Sequence, residues 1–162
     1  MSEKSHSKNI FIVRHAHASF DGCNDFERQL NAKGLIAAKK TATFIHNKCK
    51  EMAISLELCI SSAATRTKQT AEIIGKTNDI HSYKYYQELY STAVSTWLEK
   101  IIKEPAKNIV IVGHNPTFSQ MLNSLCGYDL YMKPANCALI KLEIRPDGII
   151  YPASLQEFHH NE

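Results

Sequence analysis

A chain of 162 residues with 44% apolar and 22% charged side chains has the length of one compact domain and the make-up of an ordinary globular protein. A net charge of +3, spread along the chain, argues against a nucleic-acid or membrane partner, and the basic run Lys39-Lys40, Lys48 and Lys50 falls within a predicted helix as a solvated face. No h-region follows Met1-Ser2-Glu3-Lys4, no stretch nears the ~20 apolar residues that span a bilayer, and Cys23, Cys49, Cys59, Cys126 and Cys137 form no C-x-x-C, so a reduced cytoplasmic protein with unpaired, mostly buried thiols is expected.

Residues 1–8 are polar and read as a frayed tail before a single domain over 9–158. Asn9-Ile10-Phe11-Ile12-Val13 is a short β-branched run, a buried strand by length and type. Residues 18–30 contain Asp21-Gly22 and read as a loop. Asn31 is placed to cap a helix running to about Lys48, with Leu35, Ala38, Ala42, Ile45 and Cys49 inward at three- and four-residue spacing. Leu56 to Ser61 is the second strand, followed by a helix over 65–77 with Ala71 and Ile74 inward. His81 to Tyr85 is a third strand, and 92–103 a helix with Val94, Leu98 and Ile101 on one side and Trp97 adjoining.

Asn108-Ile109-Val110-Ile111-Val112-Gly113 is the clearest strand. Asn115-Pro116 then offers an N-cap and an N1 proline to a helix burying Phe118, Leu122 and Leu125. Residues 137–144 and 149–154 flank Arg145-Pro146-Asp147-Gly148, a turn between antiparallel strands. The alternation of strands and helices predicts an α/β three-layer sandwich, its central sheet mostly parallel, with a C-terminal antiparallel hairpin. Ligands of such sheets bind beyond the carboxyl ends of the strands.

At those ends stand Arg14-His15-Ala16-His17, then Arg66-Thr67-Lys68-Gln69-Thr70 at a helix opening, Glu88-Leu89-Tyr90, and Gly113-His114-Asn115-Pro116. Two arginines, two histidines and a carboxylate on one sheet edge suit a phosphoryl group. Planar guanidinium forks at Arg14 and Arg66 match its oxygens and the charge they carry in the transition state. A neutral His15 is a competent nucleophile, and a protonated His114, the form that nearby phosphate favours, adds a positive donor. The helix N-terminus near Thr65 and the Ser61-Ser62 hydroxyls are further candidate donors.

Arg14-His15-Ala16, Arg66-Thr67-x-Gln69-Thr70, Glu88-Leu89-Tyr90 and Gly113-His114-Asn115 occur in the order seen in the histidine phosphatase superfamily, the phosphoglycerate mutase-like group. Within it they most resemble the short SixA-type phosphohistidine phosphatases, from about residue 9 to about 154. The resemblance implies a phosphoglycerate mutase-like fold, with His15 as nucleophile and Arg14, Arg66 and His114 in the phosphate pocket. Asp25-x-x-Arg28-x-Leu30-x-x-Lys33-Gly34 resembles the family's loop before the first helix, a mainly structural part in which Arg28 lines the mouth. Ala16 replaces the usual glycine, which a negative φ tolerates. The cap that supplies a general acid in larger members has no room between residues 61 and 108.

Glu88 is therefore the carboxylate candidate for an acid, with an orienting role and a plain structural role also open. His17, Arg28 and Asn115 are candidate substrate contacts. His46, His81 and the tail histidines show no zinc spacing, so neither metal nor cofactor is expected. Tyr83, Tyr85, Tyr86 and Tyr90 read as sheet packing rather than a pocket wall. Imidazole leaves more easily than an alkoxide and needs less proton assistance, which favours a phosphohistidine domain of a phosphorelay or phosphotransfer protein as substrate, with inorganic phosphate as product. Small phosphate esters at the same site are the rival, and a silent phosphate-dependent binding module is the rival of another class.

Overall fold

The computed structural model describes residues 5–21 and 24–161. Strand β1 (His6–Arg14) leads to helix α1 (Ala32–Met52), β2 (Leu58–Ser62), α2 (Thr65–Thr77), β3 (Tyr83–Tyr86), α3 (Val94–Ile102), β4 (Asn108–Gly113), α4 (Thr117–Cys126), β5 (Cys137–Arg145) and β6 (Gly148–His159). One six-stranded sheet has the order β3-β2-β4-β1-β5-β6. β3, β2, β4 and β1 run parallel, and β5 and β6 are antiparallel to their neighbours.

Period-2 alternation builds the layers. Ile10 and Ile12 of β1 and Ile109 and Ile111 of β4 face one way, against Trp97 and Ile101 of α3 and Phe118, Leu122 and Leu125 of α4. Phe11, Val13, Val110 and Val112 face the other way, against Ala42 and Ile45 of α1 and Ala71 and Ile74 of α2. Both faces of the central strands are covered, as the expected three-layer α/β sandwich requires. Burying one such side chain stabilises the fold by roughly 1.5–3 kcal/mol.

Asn31 caps α1 through its side chain, which accepts from Gly34 N at 2.8 Å. Gly34 is fixed by crowding, because a Cβ there would lie 2.0 Å from the His17 carbonyl oxygen. Gly113 is fixed likewise, with Phe118 and Trp97 ring atoms each 2.6 Å from the Cβ it lacks. The α3–α4 layer thereby closes onto the end of β4, directly before His114.

Several expectations shift. β1 starts at His6, so residues 6–8 pair with β5 rather than fray; residues 1–4 lie outside the described residues. Gly22 and Cys23 also lie outside them, while Cys49, Cys59, Cys126 and Cys137 are free and buried. Leu35 is exposed, because the crowded face of α1 runs through Gly34, Ala37, Ala38 and Thr41. Trp97 is the buried anchor of α3, with Val94 and Leu98 only partly covered. Pro116 takes the cap position of α4 rather than the first helical one, and Asn115 Oδ1 accepts from Ser119 N at 3.1 Å. β2 and β3 each begin two residues later than expected, and β6 extends to His159.

Candidate active site

Arg14-His15-Ala16 leaves β1 between the ends of β4 and β5, and the backbone there is held from three sides. His15 N donates to Gly113 O at 3.0 Å, and Ala135 N donates to the carbonyls of Arg14 and His15 at 3.0 and 3.1 Å. Ala16 N donates to Thr70 Oγ1 at 3.2 Å. Ala16 is not among the residues of positive φ, so a methyl fits the turn. The α2 motif is explained by similar ties: Thr67 Oγ1 donates to Ser62 O at 2.8 Å, and Gln69 Oε1 accepts from Leu30 N at 2.7 Å.

The His15 ring is buried, with Nδ1 2.8 Å from Ala16 O. A carbonyl can only accept, so Nδ1 carries the proton and Nε2 bears the lone pair. Arg66 Nε lies 3.3 Å from that Nε2 and donates to it. Burial pushes the His15 pKa down to about 3, against the Ala16 carbonyl, which favours the cation; His114, Arg66 and Arg14 push it down further. At neutral pH this is an uncharged imidazole with an unprotonated Nε2, the protonation state that nucleophilic attack needs.

His114 stands beside it, ring centroids 5.3 Å apart, with its Nε2 2.8 Å from Ser62 Oγ. Burial pushes its pKa down to about 4, with Arg66 and Arg14 acting the same way and Asp25 opposing. At neutral pH the His114 ring is therefore uncharged by itself, and the protonated donor expected from sequence needs a phosphate beside it. A bound dianion would favour its cation.

Arg66 is buried in the first turn of α2, its Nη1 donating to Asp25 O at 2.6 Å and its Nη2 to Asp25 Oδ2 at 3.0 Å. Arg14 Nη1 donates to Met132 O at 3.0 Å and to Tyr131 Oη at 3.4 Å. Arg14 Nε is buried with no partner. Such orphans are rare because each forfeits its hydration without return. Arg14, His15, Arg66 and His114 all line one cavity of about 430 Å³, with His17, Arg28 and Asn115 also on its walls.

Glu88 is the exception among the expected residues. The one-turn 3₁₀ helix Gln87–Leu89 buries Leu89 and turns Glu88 outward, where its carboxylate accepts from Lys100 Nζ at 2.7 Å. It does not line the cavity. The carboxylate that does is Asp25, read from sequence as part of a structural loop. Tyr90 Oη and Arg28 Nη1 donate to it as well as Arg66. The Tyr90 hydrogen bond, and then Arg28 and Arg66, hold its carboxyl well below the usual range despite burial. The i,i+3 spacing of Asp25 and Arg28 was the available signal.

Tyr90 also lines the cavity, its ring edge-on to His114 at 5.4 Å, whereas Tyr83 and Tyr85 pack against the core as expected. The Ser61 hydroxyl donates to Ser62 O, and the Ser62 hydroxyl meets His114 and accepts from Ala64 N. Neither serine lines the cavity.

The fold, a six-stranded mixed sheet between helices, is that of the phosphoglycerate mutase-like structures on which the chain superposes. Among them the chain is similar to SixA-type phosphohistidine phosphatases. The phosphohistidine phosphatase SixA of Escherichia coli K12 is 25% identical over 122 residues, 72% of this chain and 73% of that protein. A SixA-type structure from Agrobacterium tumefaciens superposes with a TM-score of 0.80 at 24% identity, over 96% of this chain and 99% of that one. A protein histidine phosphatase SixA complexed with tungstate superposes at 0.75 and 21% identity, over 93% and 95% of the two chains. An uncharacterized chloroplastic protein of Arabidopsis thaliana is 27% identical over 152 residues; the match takes in 83% of this chain and 66% of that protein's length, just under two thirds. No family model matches the chain.

Proposed function

We propose that this protein is a phosphohistidine phosphatase working through a covalent phosphohistidine on His15. The observation that carries the reading is the His15 Nε2 lone pair, on a neutral ring, turned toward the guanidinium of Arg66 in a cavity shared with Arg14. In this reading the phosphoryl oxygens lie among Arg14, Arg66 and His114, and Arg14 Nε gains the acceptor it lacks. His15 Nε2 attacks in line: the new N–P bond forms as the bond to the substrate's ring breaks, and that ring, already protonated on its other nitrogen, leaves as neutral imidazole. Water then attacks phosphorus, returning His15 to its neutral form and releasing inorganic phosphate.

Phosphohistidine is preferred over small phosphate esters because of the carboxylates. Glu88 is committed to Lys100 outside the cavity. Asp25 stays ionised at neutral pH and has no proton to give an alkoxide, while imidazole is the better leaving group. The substrate is then a phosphohistidine domain of a phosphorelay or phosphotransfer protein. Free buried thiols support a reduced, cytoplasmic setting. No helix among the described residues is long and apolar enough to cross a membrane. The test is phosphate release from a phosphohistidine protein: His15→Ala is expected to lower turnover by roughly 10⁴-fold or more, as removal of other catalytic nucleophiles does. Full activity in that variant would remove His15 from the chemistry.

A further inference from the structure

Two large aromatic side chains stand exposed beside this site, and each is seated on one of its guanidinium groups. Phe20 is 84% exposed, yet its ring centre lies only 3.7 Å from Arg28 Cζ. Tyr131 is 62% exposed, with Arg14 Cζ 5.8 Å from its ring centre and its hydroxyl on Arg14 Nη1. Cation–π attraction accounts for each ring's seat. It does not account for a phenylalanine left open to water on the wall of a polar cavity.

The seat under Phe20 is rigid. Arg28 donates from Nε to Ser19 O at 2.8 Å, from Nη1 to Asp25 Oδ1 at 3.0 Å and from Nη2 to Ala18 O at 3.4 Å. Every edge of that guanidinium is tied, so its face stays presented to Phe20. Asp25, which ties it, also holds Arg66. The ring and the phosphate-binding fork are thus positioned by one shared carboxylate.

We propose that Phe20 is a specificity-determining residue, a stacking platform for the planar leaving group of the substrate, the imidazole of a phosphohistidine. This rests on the phosphatase reading above and adds to it which part of the substrate is recognised apart from the phosphoryl group. An imidazole carries a π-face that an offset ring can cover, whereas an alkyl phosphate or a bare amine offers none. The contact exists before and during transfer, so it strengthens binding of ground and transition states alike and acts on KM rather than kcat.

The experiment compares two P–N substrates that differ in the ring: N-phosphohistidine and phosphoramidate. The readout is the ratio of their kcat/KM values, so any general loss cancels. In Phe20→Ser the ratio is expected to fall about threefold to tenfold, carried by the KM for phosphohistidine, and Phe20→Tyr is expected to restore it. An unchanged ratio in Phe20→Ser, with both substrates still hydrolysed, overturns the platform and leaves the phosphatase standing. No turnover of either substrate by the wild type overturns the phosphatase reading and the platform with it.

Discussion

The two ends of the parallel strands both bury charge, and they complete it differently. At the amino ends, Lys8 is buried with its ammonium donating to Glu104 O at 2.6 Å and to Ala106 O. The exposed Lys84 lies 2.5 Å from the buried Glu104 carboxylate, and Glu57 accepts from Lys107 N and Asn108 N at 2.9 and 2.8 Å. The charges of Lys8, Lys84, Glu104 and Glu57 are each answered by the chain itself. At the carboxyl ends, two neutral histidines stand between two guanidinium groups, one of which keeps a buried, unpartnered N–H. Burying polar groups costs free energy wherever it happens. A fold that satisfies one end and leaves the other unfinished has a place for an anion at the second.

The comparison predicts that substitutions separate by end. Arg66→Gln at the carboxyl end is expected to lower kcat by about 10²–10³-fold, the usual effect of removing one transition-state donor, with little change in urea midpoint; steady-state kinetics beside a denaturation curve checks both. Lys8→Ala at the amino end is expected to do the reverse. It strips one buried and one half-buried carbonyl of their donor and should destabilise by about 1–3 kcal/mol, with kcat within about twofold of wild type. Equal effects on activity from both variants would erase the distinction between the ends.

Acid sharpens it further. His15 and His114 have folded pKa values near 3 and 4 against 6.5 when unfolded. Between those values the unfolded chain binds more protons, so the stability their neutral burial allows is full above about pH 6.5 and is lost as pH falls toward 4 for His114 and toward 3 for His15. Each histidine should steepen that decline by up to about 1.4 kcal/mol per pH unit, and His114→Gln should flatten it in urea titrations at pH 4.5–6.5. The smallest effect is expected of Glu88→Gln. Its carboxylate pairs with Lys100 outside the cavity, so phosphohistidine hydrolysis should change by less than about twofold.

What was legible from sequence follows the same division. β1 and β4 were plain because their β-branched runs are buried on both faces and need no context. Arg14, His15, Arg66 and His114 were legible because each directly follows a strand or opens a helix, where backbone geometry aims it. Glu88 misled because a 3₁₀ turn, not a strand end, decides its direction, and Leu89 takes the inward place. Asp25 opens a one-turn 3₁₀ helix, and Phe20 and Tyr131 sit in irregular segments, where no period announces which side chain meets the cavity. The neutral resting form of His114 was not legible, because it depends on burial and on three neighbours distant in sequence.

The most direct test of the covalent account is to mix the enzyme with a ³²P-labelled phosphohistidine protein, quench in alkali within one turnover, and locate the label. The account predicts base-stable, acid-labile phosphate on His15 that disappears in His15→Ala. Rapid turnover with no labelled enzyme, or label on another residue, would contradict it.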